Sequence, residues 1–264
     1  MVPKGSAHLL SFDVVSNERV ADGIYKLVIH AQGIASGLEP GQFVNLAVPG
    51  DPAQILRIPL SFSRVDEAAD AIEIEYALVG DGTRRLAAMA PGSTSTVVSP
   101  CGHPWKTGDC RGRAVLVAGG IGVTPIVGCA RSLAAAGVQF DAVVGAQTAD
   151  RLWGVDELSA LGAGRVLVTT DDGTAGMRGF TTDALSSLLS GEKYDTVFTC
   201  GPEVMMRGVA AIAHESGLAC QVSMERMMSC GFGACGTCNV AMRAGGYASA
   251  CMDGPVFDAG EVAW

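Results

Sequence analysis

The sequence predicts three domains: an antiparallel β-barrel, a doubly wound α/β domain with a parallel sheet, and a small cysteine-rich C-terminal domain. Short apolar segments separated by turn residues fill the first part of the chain. Continuous apolar segments that alternate with helical ones follow. Four cysteines spaced C-x4-C-x2-C-x12-C lie near the end. We therefore expect domains at residues 1–105, 106–220 and 221–264.

Composition narrows the class of protein. The 264 residues are 48% hydrophobic and 17% charged, which is enough apolar material for more than one core. A net charge of −9 without a basic run argues against nucleic acid as a partner. No segment is apolar enough for membrane insertion, and residues 1–6 lack the apolar core of a signal peptide. We expect a cytoplasmic protein whose remaining cysteines are reduced thiols.

The barrel prediction rests on regularly spaced short strands. Pairs such as Asp22-Gly23, Pro40-Gly41 and Pro91-Gly92 supply the turns between them. Evenly spaced strands of this kind are typical of antiparallel barrels. One short helix is predicted over residues 84–89. The strands are predicted over residues 9–15, 23–30, 42–48, 71–79 and 94–99.

The pattern changes after residue 113. Residues 114–118 form a continuous apolar run that is typical of a strand buried on both faces. A helix follows and ends at Gly137, and the alternation continues to residue 216. Alternating strands and helices predict a parallel, doubly wound sheet. The further strands are predicted over residues 140–145, 165–170 and 195–200, and the further helices over residues 182–189 and 203–216.

The cysteine spacing near the C-terminus is that of a plant-type 2Fe–2S cluster. The chain must wrap tightly around such a cluster, and the intervening glycines can adopt positive φ and bring amide groups to the sulfurs. A structural zinc site is the alternative, but it would usually show two similar C-x2-C pairs. The asymmetric spacing favours the iron–sulfur cluster, which residues 221–264 would need because they are too few for an independent core. The metal ligands predicted are Cys230, Cys235, Cys238 and Cys251.

A glycine-rich turn closes the buried strand at residue 118 and opens the next helix. Glycine lets the backbone approach a pyrophosphate, and the helix N-terminus offers free N–H groups to it. A second turn follows the strand at residue 200, and ligands of doubly wound sheets lie beyond such strand ends. Tight packing, with Cys200 as an inert core thiol, is the alternative at both turns. The candidate residues are Gly119, Gly120, Gly122, Thr124 and Pro125 in the first turn and Cys200, Gly201 and Pro202 in the second.

Two barrel segments are candidates for a second cofactor. Arg57 can form a forked contact with a phosphate, and Ser61 can donate a hydrogen bond to an adjacent ring. Residues 80–83, with sequence Gly-Asp-Gly-Thr, could bind a pyrophosphate through backbone N–H groups. An ordinary strand with one exposed arginine and a simple hairpin turn are the alternatives. Because a nicotinamide delivers a two-electron hydride and a 2Fe–2S cluster accepts one electron, we hypothesise a flavin between them.

Taken together, these motifs resemble the ferredoxin reductase superfamily over nearly the whole chain. Within it, the chain is similar to the electron-transfer subunits of class 1B dihydroorotate dehydrogenases. The likeness includes the Pro40-Gly41-Gln42-Phe43 stretch, the Asp171-Asp172-Gly173 stretch and the ending that runs from Cys251 to Ala259.

The resemblance implies a role for each motif. The chain would pass electrons between the FMN-containing dihydroorotate dehydrogenase catalytic subunit and NAD(H), through the 2Fe–2S cluster and FAD, in pyrimidine biosynthesis. Two copies of each subunit would form a heterotetramer. The two turns of the α/β domain would bind NAD(H), and the four cysteines would ligate the cluster. The FAD-binding residues would be Arg57, Pro59, Leu60, Ser61, Glu75, Tyr76, Ala77, Gly82 and Thr83.

One departure keeps a second reading open. The family usually has Arg-Arg-Pro-x-Ser, but Ile58 stands at the second arginine, as in related subunits that couple ferredoxin or sulfide to NAD(P)H. In those subunits the first cluster ligand resembles Asp, whereas Cys230 is present here, which favours the dihydroorotate branch. The segment expected to face the ribose contains both Asp150 and Arg151, so the sequence does not decide between NAD and NADP. A non-enzymatic sensor of redox state or NAD(H) is the alternative of another class. The four histidines form no catalytic pattern, so we predict no catalytic side chain.

Overall fold

The computed structural model describes residues 7–50 and 55–264. Residues 1–6, where the sequence predicts no signal peptide, lie outside the described residues. The described chain contains two seven-stranded sheets and one two-stranded sheet.

The first sheet is entirely antiparallel and has the order β4-β3-β7-β1-β2-β6-β5. The strand β4 at one end contacts β6 near the other end, so the sheet curls into the predicted barrel. Large apolar side chains such as Phe12, Leu27 and Ile72 fill its interior. The elements are β1 (His8–Ala21), β2 (Ile24–His30), β3 (Phe43–Leu46), β4 (Ile58–Ser61), β5 (Arg64–Asp66), β6 (Ala71–Ala77), α1 (Asp81–Ala87) and β7 (Thr94–Cys101).

The barrel differs from the prediction at several elements, and two of the differences have a clear physical reason. The strand β1 continues six residues beyond the predicted end at residue 15, because it pairs with β7 and then with β2 and passes two register shifts. The helix α1 begins at Asp81 rather than at residue 84. The Thr83 hydroxyl accepts hydrogen bonds from the N–H groups of Val79 and Gly80 at 3.0 and 3.1 Å, which starts the helix early.

The second sheet has the order β11-β10-β9-β8-β12-β13-β16 and is parallel except for its last pair. The predicted doubly wound α/β domain is confirmed. Chain order reverses at β8, so the switch point where such folds bind ligands lies between β8 and β12. The elements are β8 (Ala114–Gly119), α2 (Val123–Ala135), β9 (Phe140–Ala146), α3 (Val155–Ala160), β10 (Val166–Thr170), β11 (Met177–Arg178), α4 (Thr181–Gly191), β12 (Thr196–Cys200), α5 (Glu203–Glu215) and β13 (Ala219–Ser223). Within the described ranges, no helix is long and apolar enough to cross a bilayer.

The C-terminal segment is joined to this sheet. It contains the hairpin β14 (Asn239–Ala241) and β15 (Tyr247–Ser249), then β16 (Val256–Asp258), which pairs antiparallel with β13. Its buried residues, such as Val240 and Phe257, pack in the same apolar core as Val117 and Val222 of the parallel sheet. The three-domain division stays a prediction, and the second predicted boundary falls within β13.

A buried charge network closes the sheet at the end opposite the switch point. Asp141, at the start of β9, is fully buried and pairs with Arg113 at 2.7 Å and Arg165 at 3.2 Å. Burial alone would raise the pKa of Asp141, but hydrogen bonds from Tyr194 and both arginines outweigh burial and lower it. These groups bond mainly to one another, although the buried Nε of Arg113 has no partner, so we assign them a structural role.

Candidate functional site

The two predicted nucleotide-binding turns meet at the switch point. A Cβ atom on Gly122 would lie 2.5 Å from the backbone oxygen of Cys200 and 2.7 Å from the nitrogen of Gly201. A Cβ atom on Gly119 would lie 3.0 Å from the Pro202 ring and closer still to Met205. Only glycine allows the two turns to approach this closely.

Gly120 leaves room for a ligand at the same place. It is exposed, has a φ of +54°, and no atom lies within 4 Å of the position that its Cβ would take. The helix α2 begins three residues later, and the first N–H groups of a helix have no partner within the helix. An open glycine beside a helix N-terminus fits the pyrophosphate of a dinucleotide.

The Cys200 side chain does not face this space as a reactive group. It is 1% exposed, and burial raises the pKa of its thiol well above the usual value. A protonated, enclosed thiol is a poor nucleophile. What Cys200 contributes to the site is the backbone of the turn.

The predicted FAD residues lie where the barrel closes, on β4 and just before it, on β6, and in the first turn of α1. Arg57 donates hydrogen bonds to the backbone oxygen and hydroxyl of Thr96 at 2.8 and 3.0 Å, which fix its guanidinium group against β7. Pro59, Leu60 and Ser61 follow on β4 and are half-buried. The β4 and β6 segments are therefore brought together.

The side chains of two predicted FAD residues bond to other parts of the chain. The Tyr76 side chain is buried in the barrel, where its hydroxyl donates to Asn17 at 2.9 Å and its ring stacks on Tyr25. The Thr83 hydroxyl donates to the Gly80 oxygen at 3.0 Å, besides accepting the two bonds that start α1. A ligand on the outer face would thus meet the backbone of Tyr76.

Glu75 lies between the barrel and the α/β domain. Its backbone oxygen accepts a hydrogen bond from the Thr124 hydroxyl at 3.2 Å, which ties the predicted flavin strand to the nucleotide turn. Its carboxylate is 2% exposed, and neither oxygen has a hydrogen-bond partner. Burial raises the pKa of Glu75 to about 7, although the nearby Ser63 hydroxyl offsets part of the increase. This carboxyl group titrates near neutral pH.

The four predicted cluster ligands are neighbours. Cys235 interacts with Cys230, and Cys251 interacts with both Cys238 and Cys230. The Thr237 hydroxyl, with backbone N–H groups, lowers the pKa of Cys235 to about 6. Burial, with the adjacent Cys238 thiol, raises the pKa of Cys251 to about 12.

The backbone around these cysteines suits a 2Fe–2S cluster. The predicted glycines Gly231, Gly233 and Gly236 all have positive φ, at 74°, 82° and 65°. A 2Fe–2S cluster takes four cysteine sulfurs, and four interacting cysteines are available here. Across residues 7–50 and 55–264, no group of three or more Cys, His, Asp or Glu side chains is arranged around a single metal ion.

Sequence reasoning missed two residues that join the parts of the site. The Trp105 indole, at the predicted first domain boundary, donates to the Pro125 oxygen at 3.1 Å and packs edge-on against Phe198. Asn45 of β3 lies against Gly231 in the cysteine loop. For Trp105, the only hint in the sequence was a tryptophan next to Pro104. For Asn45, the sequence contained no hint.

Two other features bear on the nucleotide. A cleft of about 940 Å³ lies beside α3, β10 and β11, but none of the predicted site residues lines it.

Arg151, in the segment predicted to select NAD or NADP, donates to Gln147 at 2.8 Å and lies 3.9 Å from Asp22. Its charge is therefore partly compensated within the chain.

Comparison with known proteins identifies two domains. Residues 225–263 match the iron–sulfur cluster binding domain of dihydroorotate dehydrogenase B. Residues 116–211 match the oxidoreductase NAD-binding domain. These matches confirm the predicted cluster and nicotinamide sites at the level of domains, while the individual residues stay predictions.

Two relatives of similar length, from different bacteria, have the same name. The electron transfer subunit of dihydroorotate dehydrogenase B (NAD(+)) from Geobacillus thermodenitrificans is 37% identical over 94% of this chain and 96% of its own. The subunit of the same name from Bacillus cereus is 35% identical with the same coverage.

Solved structures support the fold. An NADH-dependent reduced ferredoxin-NADP oxidoreductase, studied for flavin-based electron bifurcation, is 32% identical with a TM-score of 0.86, covering 98% of this chain and 91% of that one. Phthalate dioxygenase reductase, at 19% identity and a TM-score of 0.63, covers 89% of this chain and 87% of that one and shares the fold. The predictions of an oxidoreductase and of a ferredoxin-reductase-like fold are confirmed. The chain belongs to the family of dihydroorotate dehydrogenase B electron transfer subunits.

Proposed function

We propose that this chain carries electrons between the FMN-containing catalytic subunit of a dihydroorotate dehydrogenase and NAD+, in pyrimidine biosynthesis. The observation that carries the proposal is the similarity, along 94% of the chain, to subunits named for this role. When bound, FAD and the 2Fe–2S cluster supply the exchange between hydride transfer and single-electron transfer.

The residues of the chain bind and orient these groups. The turns at residues 119–122 and 200–202 hold the nicotinamide nucleotide through backbone N–H groups at the switch point. Arg57 and the half-buried β4 edge hold the flavin where the barrel closes. The four cysteines hold the cluster, and Thr237 beside Cys235 contributes a hydrogen bond at the exposed end of that site.

The catalytic subunit docks over the cysteine loop in this proposal. Cys235 is exposed, and three large apolar side chains in the surrounding segments are exposed as well: Met227 (81%), Phe232 (66%) and Met252 (50%). Met252 packs against Gly233 within the loop. Exposed apolar side chains beside an electron carrier suit a protein partner, because contact both buries them and shortens the transfer distance.

We extend the proposal to the assembly and its compartment. The relatives are named as subunits of a larger enzyme, and we propose two copies of each subunit. None of the nine cysteines forms a disulfide. Reduced cysteines and a cluster site fit the reducing cytoplasm.

Two observations favour a second candidate, a ferredoxin- or sulfide-linked NAD(P)H oxidoreductase subunit. Ile58 replaces the second arginine of the flavin motif, and the ferredoxin-NADP oxidoreductase structure is 32% identical. Cys230, as the first predicted cluster ligand, favours the dihydroorotate enzyme instead.

Nucleotide choice and partner choice separate the two candidates. We expect the purified holoprotein to lose its flavin absorption when NADH is added and to respond far less to NADPH. We also expect a tagged chain to retain an FMN-containing dihydroorotate dehydrogenase subunit from its own cells. Preferential bleaching by NADPH, together with electron transfer to ferredoxin, would establish the second candidate.

A further inference from the structure

Asn45 is a polar residue buried in the seam between the barrel and the cysteine loop. It is 3% exposed, whereas Phe43, Val44 and Leu46, its neighbours on β3, are all apolar and buried. Because side chains alternate along a strand, Asn45 points away from the barrel core that holds Val44 and Leu46. Burying an amide costs free energy unless hydrogen bonds compensate for it.

The amide of Asn45 contacts the residue that follows the first predicted cluster ligand. A Cβ atom on Gly231 would collide with the Asn45 Nδ2 atom. Gly231 also has a φ of +74°, so both its conformation and its contact require glycine. The barrel amide and the cysteine-loop backbone are therefore packed directly against each other beside Cys230.

The same amide has one further partner, and it is a weak one. Nδ2 donates to the Cys101 sulfur at 3.7 Å. Burial raises the pKa of Cys101 to about 11, so this acceptor is a neutral thiol. Thiols accept hydrogen bonds weakly, which compensates for little of the cost of burying the amide. A second N–H remains on Nδ2, on the atom nearest to the loop.

The backbone of Asn45 belongs to the predicted flavin side. Asn45 pairs with Pro59 across β3 and β4. Its oxygen also lies 3.5 Å from Arg57 Nη1, whose stronger bond goes to Thr96. One residue thus contacts the flavin motif through its backbone and the cysteine loop through its side chain.

We propose that Asn45 is a positioning residue for the 2Fe–2S cluster, donating an N–H to the sulfurs at Cys230 and holding the cysteine loop against the flavin motif. The inference rests on the cluster and flavin assignments above. A donor N–H stabilises the extra negative charge of the reduced state more than the oxidised state. The chain would thereby raise the reduction potential of the cluster through a residue of another domain.

The test is the midpoint potential of the cluster in the purified holoprotein, followed by electron paramagnetic resonance during a redox titration. Asn45→Leu keeps a similar volume and removes the donor. We expect its reduction constant to fall roughly tenfold, because a hydrogen bond to the more negative, reduced cluster is stronger than one to the oxidised cluster. For a one-electron couple this is a shift of about 59 mV to lower potential.

A second variant guards against misfolding. Asn45→Asp keeps the shape, removes the donor and places negative charge beside the sulfurs, so we expect a larger shift in the same direction. Asn17→Leu is the matched control, because its amide donates to Leu86 and Met89 oxygens within the barrel, at 2.8 and 3.1 Å. It should lower thermal stability without moving the potential.

The outcomes separate this inference from the proposed function. A wild-type protein that contains no iron would overturn the cluster assignment, and the role of Asn45 with it. A wild-type cluster whose potential and spectrum are the same in Asn45→Leu and Asn45→Asp would overturn the role of Asn45 alone. An equal shift in Asn17→Leu would also overturn it, because the effect would then be general destabilisation.

Discussion

At the scale of single residues, Glu75 shows most clearly how burial creates a functional property. Burial is the largest cause of its raised pKa. The Ser63 hydroxyl and Lys26 lower the pKa, whereas Glu73 and Glu157 raise it further. A carboxyl group that would ionise near pH 4.5 in the unfolded chain stays protonated in the folded chain up to about pH 7. The charge of Glu75, which lies between the barrel and the nucleotide turn, therefore changes near neutral pH.

The sign of this effect follows from proton binding. Between the unfolded pKa of 4.5 and the folded pKa of about 7, the folded state holds the proton that the unfolded state releases. Stability must then fall as pH rises through this window. Glu75→Gln, which cannot ionise, should lack this contribution. Relative to wild type, we expect the variant to gain about 3 kcal/mol between pH 4.5 and pH 8.

Thermal unfolding of both holoproteins at several pH values measures this difference. The midpoint of Glu75→Gln should rise relative to that of the wild type as pH increases. A constant offset across the range would mean that Glu75 has an ordinary pKa in the folded chain, which would contradict the effect assigned to burial.

At the scale of elements, the switch point depends on glycines that let two turns touch. Gly122→Ala adds a methyl group where the Cys200 oxygen lies, and a backbone atom cannot rotate away. Overpacking of this kind costs about 1–3 kcal/mol. We expect the dissociation constant for NADH to increase at least about tenfold, measured by fluorescence or calorimetric titration.

Gly137→Ala is the matched control for this change. Gly137 follows the same helix, has a φ of +72°, and has no atom within 4 Å of the added methyl group. It should reduce stability through backbone strain but leave NADH affinity intact. Equal affinity in Gly122→Ala and wild type would contradict the placement of the nucleotide at these turns.

The elements also show what could be predicted from the sequence. The buried strands β8, β9 and β12 were predicted to within a residue or two, because short continuous apolar runs between turn residues are typical of strands buried on both faces. The strand β16 was missed because a strand of only three residues carries no periodic signal. Its pairing with β13 defines it. The starting position of α1 was missed because the Thr83 hydroxyl bonds decide it.

The site divides in the same way. The glycines and cysteines could be proposed from the sequence because their chemistry demands a spacing that is visible along the chain. Asn45 and the Thr124–Glu75 bond were missed, because contacts between domains leave no local pattern in the sequence.

At the scale of the whole molecule, the cysteine domain shares its core with the nucleotide domain. Cys238 and Cys251 pack in the same apolar cluster as Val117 and Val222. The 2Fe–2S cluster should therefore support the end of the parallel sheet as well as carry electrons. The barrel reaches the same loop through Asn45.

Cys251→Ala separates the two ends of the proposed electron path. It removes one ligand, so we expect transfer to the catalytic subunit to fall at least about 100-fold. NADH should still bleach the flavin, because that reaction uses the switch point and the barrel. Cys220→Ala is the control, since Cys220 is also buried, in β13, but lies outside the cysteine motif. Normal transfer in Cys251→Ala, followed by rapid mixing, would rule out the cluster as the relay.

The most direct test of the proposed electron path is NAD+ reduction by the purified pair of subunits when dihydroorotate is added. We predict that NADH forms only when this chain, loaded with flavin and iron, is combined with the FMN-containing subunit, and that neither protein forms NADH alone. NADH formation by the catalytic subunit without this chain, or none by the loaded pair, would contradict that path.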